Sequence, residues 1–290
     1  MNALSPDPRI VKKSKLIKYA ESVLNDPFFE KDLAWLMKQL NLTRDQIINT
    51  YVNYDLDIFA FENEIYDSLA MPFVLHLHNL LTGSWHIERQ NTVLKYLDQI
   101  DSKKIIEVGF GTPSLYVKRM LETKNTHMTL CDYGQSAISF AKSLLDSWDN
   151  NWHSSVLIKN INMEDGKFVG AFDTYIFLDS IEHVSDPTSY LITQVESAPV
   201  ESNFILSIPI GPMIPSHFIE WKTNEDAVSW LDCCGLRVII SDMVHVNPEV
   251  DLFAEQLDYN LCNLFVLCEK NTYGKNLSKN ISSVTATGCR

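Results

Sequence analysis

The stretch KKIIEVGFGTPSLYVKRML, residues 103–121, decides the fold. Its KIIEV segment is a short, nearly continuous apolar run, the texture of a strand covered on both faces. Gly109 and Gly111 follow, one residue apart, and TPSLYVKRMLE then carries apolar side chains at helical spacing. Pro113 is expected in the first turn of that helix, where its missing N–H costs no internal hydrogen bond. Glycines permit backbone conformations and a close ligand approach that larger residues obstruct. The helix N-terminus behind them offers unpaired N–H groups. The stretch therefore reads as strand, ligand-facing turn and helix.

The texture repeats downstream. HMTLCD predicts a strand and SAISFAKSLLDSW a helix; SSVLIKN and FDTYIFLD predict two more strands, PTSYLITQVES a helix and NFILSIPI another strand. NEDAVSWLDCCGL reads as a helix stopped by Gly235, and RVIISDMVHV and NLFVLCEK as strands that form an antiparallel edge pair. Alternating strands and helices of this kind imply an α/β fold with a parallel sheet between helical layers. Ligands of such sheets collect at the C-terminal ends of the strands, where the winding reverses. Asp132 closes the second strand, about twenty residues beyond the glycine turn, where a carboxylate can accept both hydroxyl hydrogens of a ribose. Asp179 closes the fourth. A nicotinamide-binding turn would continue as G-x-G-x-x-G/A, and the third position here is Ser114, which disfavours hydride transfer.

Residues 14–98 read as helices joined by polar turns, with Leu33, Leu36, Met37 and Leu40 at helical spacing. MPFVLHLHNLL predicts a further helix that tolerates Pro72 near its start, and HIERQNTVLKYLDQI one that leads to Lys103. The boundaries drawn from texture are a helical cap and recognition region over 1–98, the α/β domain over 99–270 and a polar tail over 271–290. Within 290 residues, 37 acidic against 24 basic side chains give a formal net charge of −13. That excess disfavours a nucleic-acid or anionic-membrane partner and suits a neutral or cationic small molecule. No apolar run reaches the roughly 18 residues of a spanning helix, and no leader pattern is present, so a cytoplasmic location is expected. Cys233, Cys234, Cys262 and Cys268 form no C-x₂-C pair and read as buried thiols. His76 and His78 stand at strand-like ligand spacing in a run that reads as helical, which turns them apart. No metal is expected.

With these motifs in hand, the chain resembles the class I S-adenosylmethionine-dependent methyltransferases over about residues 85–270. IIEVGFGTPS looks like the family's first motif, with Pro113 where a third glycine is common. The resemblance implies a Rossmann-like sheet of seven strands, mostly parallel with one antiparallel C-terminal strand, and S-adenosyl-L-methionine as cofactor. It implies that Gly109, Phe110 and Gly111 lie beside the methionine part of the cofactor, and that Glu107 supports the loop or the cofactor's amino group. Asp132 is then implied to hold the ribose, with Tyr133 beside adenine and Asn162 and Met163 on the adenine-facing loop. Asp179 and Ser180 complete the cofactor set. Ser180-Ile-Glu-His-Val is similar to the helix-opening segment of many small-molecule methyltransferases, and IPSHFIEW is implied to cover the acceptor pocket.

Methyl transfer from a sulfonium needs an aligned nucleophile and a dry pocket; a base is needed only when the acceptor must lose a proton. His217 and His183 are the candidate catalytic residues, His217 for its near-neutral intrinsic pKa and its place on the covering loop. Glu182, His217, Glu220 and Trp221 are candidate substrate contacts, as are Tyr51 and Tyr54, three residues apart, and Trp85 at the approach to the sheet. Five acids without a base, Asp55, Asp57, Glu62, Glu64 and Asp67, read either as a solvated helix face or as an acidic wall for an amine. The expected activity is methyl transfer to a small metabolite or peptide-like acceptor, nitrogen before oxygen, in a chain that can pair as a homodimer. Two alternatives stay open: transfer of the cofactor's aminocarboxypropyl arm to an amine, as in nicotianamine-synthase-like enzymes, and a noncatalytic interaction protein on the same fold.

Overall fold

The computed structural model describes residues 41–56, 71–73, 75–76, 85–123, 125–165, 170–212, 217–245 and 262–271, with isolated helical positions between 14 and 38. Seven strands form one sheet: β1 Lys104–Val108, β2 His127–Asp132, β3 Val156–Asn160, β4 Thr174–Leu178, β5 Asn203–Ile210, β6 Leu236–His245 and β7 Cys262–Lys270. Their spatial order is β3-β2-β1-β4-β5-β7-β6. All pairings from β3 across to β5 are parallel, and β7 runs antiparallel between β5 and β6. The expected α/β architecture with its antiparallel C-terminal strand is present. The winding reverses between β1 and β4, and the C-terminal ends of those two strands are where open sheets of this kind take their ligands.

Both faces of the sheet are buried, which is why the strands read as apolar runs rather than as alternating ones. Side chains nevertheless alternate between two core halves. Ile106, Tyr175, Phe177, Phe204 and Leu206 enter one half, while Ile105, Ile176, Ile205 and Phe265 enter the other. Complete burial of such a side chain contributes about 1.5–3 kcal/mol, more than the intrinsic strand preference of any one residue. Cover for the two faces therefore holds the sheet.

That cover comes from helices whose apolar stripes match. On the first half lie α5 Pro187–Ser197 and α6 Asn224–Cys233, through Tyr190, Leu191, Val195, Ala227 and Leu231. On the second lie α2 Trp85–Leu97, α3 Leu115–Thr123 and α4 Gln135–Trp148, through Val93, Tyr96, Tyr116, Val117, Ala141 and Leu145. Tyr96 also donates its hydroxyl to the Phe265 carbonyl at 3.0 Å, so α2, on the front side of the boundary drawn at residue 98, packs directly on the sheet. Helix α5 starts at Asp186, whose side chain accepts from Ser189 N at 3.0 Å, with Pro187 as its first residue. Thr223 and Asp226 form a reciprocal capping box for α6, and Gly235, at φ 82°, follows its end.

Helix α3 begins at Leu115, later than expected. Ser114 supplies the carbonyl that accepts from Val117 N and Lys118 N, so Pro113 lies outside the helix and not in its first turn. Ahead of the sheet, α1 Arg44–Leu56 is helical, as are Met71–Phe73, Leu75 and His76. Phe73 and His76 pack on Phe140 of α4 at 6.1 and 5.7 Å between ring centroids. His78, the residues of the acidic run beyond Leu56 and the tail beyond Asn271 lie outside the described residues, as do the side chains of Tyr51, Tyr54 and Trp85, whose backbones are helical. Among the described residues no helix is long and apolar enough to cross a membrane. Cys131, Cys234, Cys262 and Cys268 are buried free thiols, whereas Cys233, expected to be buried, is exposed on α6.

Candidate active site

The turn after β1 owes its path to its glycines. Gly109 and Gly111 have φ of 72° and 56°, a region that L side chains rarely occupy. A Cβ added to Gly109 would stand 2.6 Å from Ser180 Cβ, so the segment after β4 presses directly on the turn. One at Gly111 would meet Leu75 Cδ1 at 3.4 Å, which puts a front-segment residue over the same turn. Phe110, between the two glycines, is buried in the core half that α2, α3 and α4 cover, so its expected place beside the cofactor falls to its backbone.

Asp132 joins this turn to the next one. Its Oδ2 accepts from Gly111 N at 2.9 Å and its Oδ1 from Gly134 N at 2.8 Å. Burial pushes its pKa up, and these backbone donors oppose that shift. A carboxylate offers about four acceptor sites, so with Gly111, Gly134 and Tyr133 as backbone donors it keeps capacity for a ribose hydroxyl. Tyr133 beside it is exposed. Asn162 closes a local turn by accepting from Glu164 N at 3.0 Å, and Met163 packs partly against the core.

Glu107, inside β1, is buried, and burial pushes its carboxyl up to about 8 despite a hydrogen bond from the Tyr116 hydroxyl and the nearby Arg89. Its second oxygen has no partner among the described residues; nor have Thr112 Oγ1 and Ser180 Oγ, both buried on or against the glycine turn. A buried polar atom left unsatisfied costs about 1–3 kcal/mol, and such groups are where a ligand is accommodated. An amino acid ammonium facing Glu107 and a ribose facing Asp132 match these atoms in charge and donor character. The residues present fit the expected cofactor.

At the end of β4 the structure departs from expectation. Asp179 has φ 44°, uncommon for a residue with a side chain. Its Oδ1 accepts from Ser207 Oγ at 2.7 Å and from Asn263 Nδ2, its N–H donates to Ser207 Oγ at 2.8 Å, and its Oδ2 pairs with Arg89. These partners use the carboxylate that had been assigned to the cofactor, and they hold a backbone conformation that costs about 1–3 kcal/mol by itself. The next residues form a 3₁₀ turn, Ile181–His183, and α5 waits until Pro187.

That turn meets the segment after β5. Phe218 N donates to the Glu182 carbonyl at 2.8 Å, and the His183 and His217 rings meet edge to face at 4.9 Å. Glu182 is 1% exposed, and burial pushes its carboxyl up to about 7. Burial, with His183 beside it, pushes His217 down to about 3, so its imidazole is neutral at physiological pH and a weak base. Spacing along the chain carries no metal expectation, yet the fold brings one donor atom each from Glu182, His183 and His217 within 4.8 Å of one another. Glu220 lies 3.5 Å from Lys222 in an ion pair. Trp221 is 2% exposed and packs on Trp230 at 4.9 Å, its carbonyl accepts from Gly211 N at 2.9 Å, and its indole N–H is buried without a partner among the described residues.

Sequence reasoning missed the supporting residues. Arg89 reaches the site from α2, Gln90 accepts from Leu115 N at 2.6 Å, and Glu164 accepts from Ser185 N and Ser185 Oγ at 2.7 Å each, tying the loop after β3 to the segment after β4. Only Ser207 and Asn263 left a signal: each is a polar residue inside an apolar strand, and such a residue needs a partner.

Sheet order, glycine turn and the acid closing β2 together define the fold of the class I S-adenosylmethionine-dependent methyltransferases. Solved structures bear this out. The [4+2]-cyclase SpnF is similar with a TM-score of 0.52 at 13% identity, over 65% of this chain and 83% of that one. The O-MT region of StiE is similar with a TM-score of 0.51 at 8% identity, over 67% and 77%. No family model matches the sequence, and no curated protein matches it. The two neighbours carry different reactions in their descriptions, so the fold does not choose the chemistry, and the site must.

Proposed function

We propose that this chain binds S-adenosylmethionine at the crevice between β1 and β4 and transfers its methyl group to a small-molecule acceptor held against Glu182, His183 and His217. One observation carries the reading: Asp132 ties together the turns after β1 and β2 while keeping acceptor capacity, next to the buried, unpartnered Glu107 oxygen. Gly109, Gly111 and Ser180 shape the floor under the methionine part, Asp132 takes the ribose, and Tyr133, Asn162 and Met163 flank the adenine. When bound, the cofactor supplies an electrophilic methyl on a sulfonium. The chain's own task is to orient the acceptor and keep water out. A methyltransferase reading is in keeping with the StiE neighbour, described as an O-MT.

His217, neutral and weakly basic, with His183 against it, orients the acceptor rather than taking a proton from it. The preference for nitrogen rested on the acidic run at 55–67, nearly all of it outside the described residues; a carboxylate with two imidazoles serves nitrogen and oxygen acceptors alike. Titration calorimetry with S-adenosylmethionine and S-adenosylhomocysteine tests the reading. Micromolar binding is expected, weakened at least tenfold in Asp132→Ala, and no binding of either compound refutes it. Product mass then separates a methyl gain from aminocarboxypropyl transfer.

A further inference from the structure

The group Glu182, His183 and His217 has a composition that proton transfer and packing do not require. Two imidazole nitrogens and one carboxylate oxygen lie within 4.8 Å of one another. The Glu182 Oε2 is buried without a partner among the described residues, in a side chain that is itself almost fully enclosed. The arrangement is held from two sides. Glu182 and His183 sit on the 3₁₀ turn after β4, His217 on the segment after β5, and the Phe218 N to Glu182 carbonyl bond at 2.8 Å keeps the two in register.

We propose that Glu182, His183 and His217 form a divalent transition-metal site. The donor set selects the ion: imidazole with carboxylate suits zinc, manganese, iron or cobalt, whereas magnesium and calcium favour oxygen donors throughout. Donor atoms around a metal at about 2.1 Å stand roughly 3–3.5 Å apart, so small side-chain rotations of the two histidines close the set. Three protein ligands leave coordination positions open, the mark of a catalytic rather than a structural centre. Glu182 is the one carboxylate of the set, the anionic donor that a dication favours. Ser180, which abuts the Gly109 turn, is two residues from Glu182, so the open positions lie near the proposed methyl donor. The role as a Lewis acid for an acceptor oxygen rests on the proposed methyl transfer; metal binding does not.

The test uses the tag-free full-length chain stripped with EDTA and titrated with cobalt(II), read by its visible d–d absorption. One equivalent is expected, with affinity reduced at least tenfold in Glu182→Gln and in His217→Asn and unchanged in His127→Asn, an exposed histidine at the start of β2. Far-UV circular dichroism and S-adenosylhomocysteine titration run on each variant. Absence of a saturable cobalt band in the wild-type chain overturns the proposal, and so does undiminished binding in both folded variants. A cobalt band without S-adenosylhomocysteine binding leaves the metal site standing and removes the methyltransferase reading; the converse removes only the metal.

Discussion

Arg89 on α2 and Asp179 at the end of β4 form an ion pair between the helix that leads into the sheet and the strand that borders the ligand crevice. Asp179 is also the acceptor for Ser207 and Asn263, so one carboxylate gathers α2, β4, β5 and β7. The side chains are 15% and 26% exposed, between a surface pair and a fully enclosed one. Removing one partner of a fully buried pair costs about 3–5 kcal/mol and breaking an exposed pair less than about 1 kcal/mol. Arg89→Met is therefore expected to lose about 2 kcal/mol in urea unfolding, and Asp179→Asn less, because asparagine retains hydrogen bonds to Ser207 and Asn263. Equal stability of Arg89→Met and wild type would contradict the pairing.

Gly109 allows a sharper steric test. Its φ of 72° and the 2.6 Å approach of Ser180 Cβ both oppose a side chain. Gly109→Ala is expected to weaken S-adenosylhomocysteine binding at least tenfold and to lower stability by about 1–2 kcal/mol for the left-handed backbone alone. Adding Ser180→Gly removes the clash but not the backbone term, so calorimetry should find partial recovery. Full recovery would mean that the turn has no need of a positive φ.

Glu107 couples cofactor binding to pH. In the unliganded chain its carboxyl, pushed up to about 8, is mostly protonated at neutral pH. A docked ammonium favours the carboxylate, so binding releases a proton and affinity rises as pH climbs toward 8, by at most about tenfold per unit. Between pH 6 and 7.5 the cofactor's amino group, of ordinary pKa about 7.7–8, is itself mostly charged. Calorimetry in buffers of different ionisation enthalpy should detect this proton, and Glu107→Gln should abolish it. Release of the same proton by the variant would assign it elsewhere.

His76 gives stability its own pH dependence. Burial against Phe140 and Trp148, with Lys118 nearby, pushes its pKa down from 6.5 to about 4. Above pH 6.5 the imidazole is neutral in folded and unfolded chains alike. Below it the unfolded chain takes up the proton first, so stability falls between about pH 6.5 and 4, by up to about 3 kcal/mol. His76→Phe should flatten that part of the stability curve, and an unchanged slope in urea titrations across the window would exclude His76 as the source.

Much of the fold was legible because its signals are short-ranged. KIIEV, the glycine pair and LYVKRMLE announce strand, turn and helix within nineteen residues, and Asp132 stands at a strand end that local pattern alone identifies. The antiparallel closing pair was legible for the same reason. The sequence was silent where a side chain's direction depends on remote contacts: Phe110 and Trp221 are buried in the core, and the Asp179 carboxylate meets Arg89, Ser207 and Asn263.

By itself the sequence determined the order of strands and helices, the glycine turn and the acid that closes β2, because hydrophobic periodicity and backbone preference act over a few residues. Tertiary structure alone decided that Glu182, His183 and His217 would meet and that Arg89 would face Asp179. His217 lies far along the chain from Glu182 and His183, as Arg89 does from Asp179, and only the side-by-side pairing of β4 with β5 and the packing of α2 on the sheet, driven by burial of the sheet's two faces, bring them within reach.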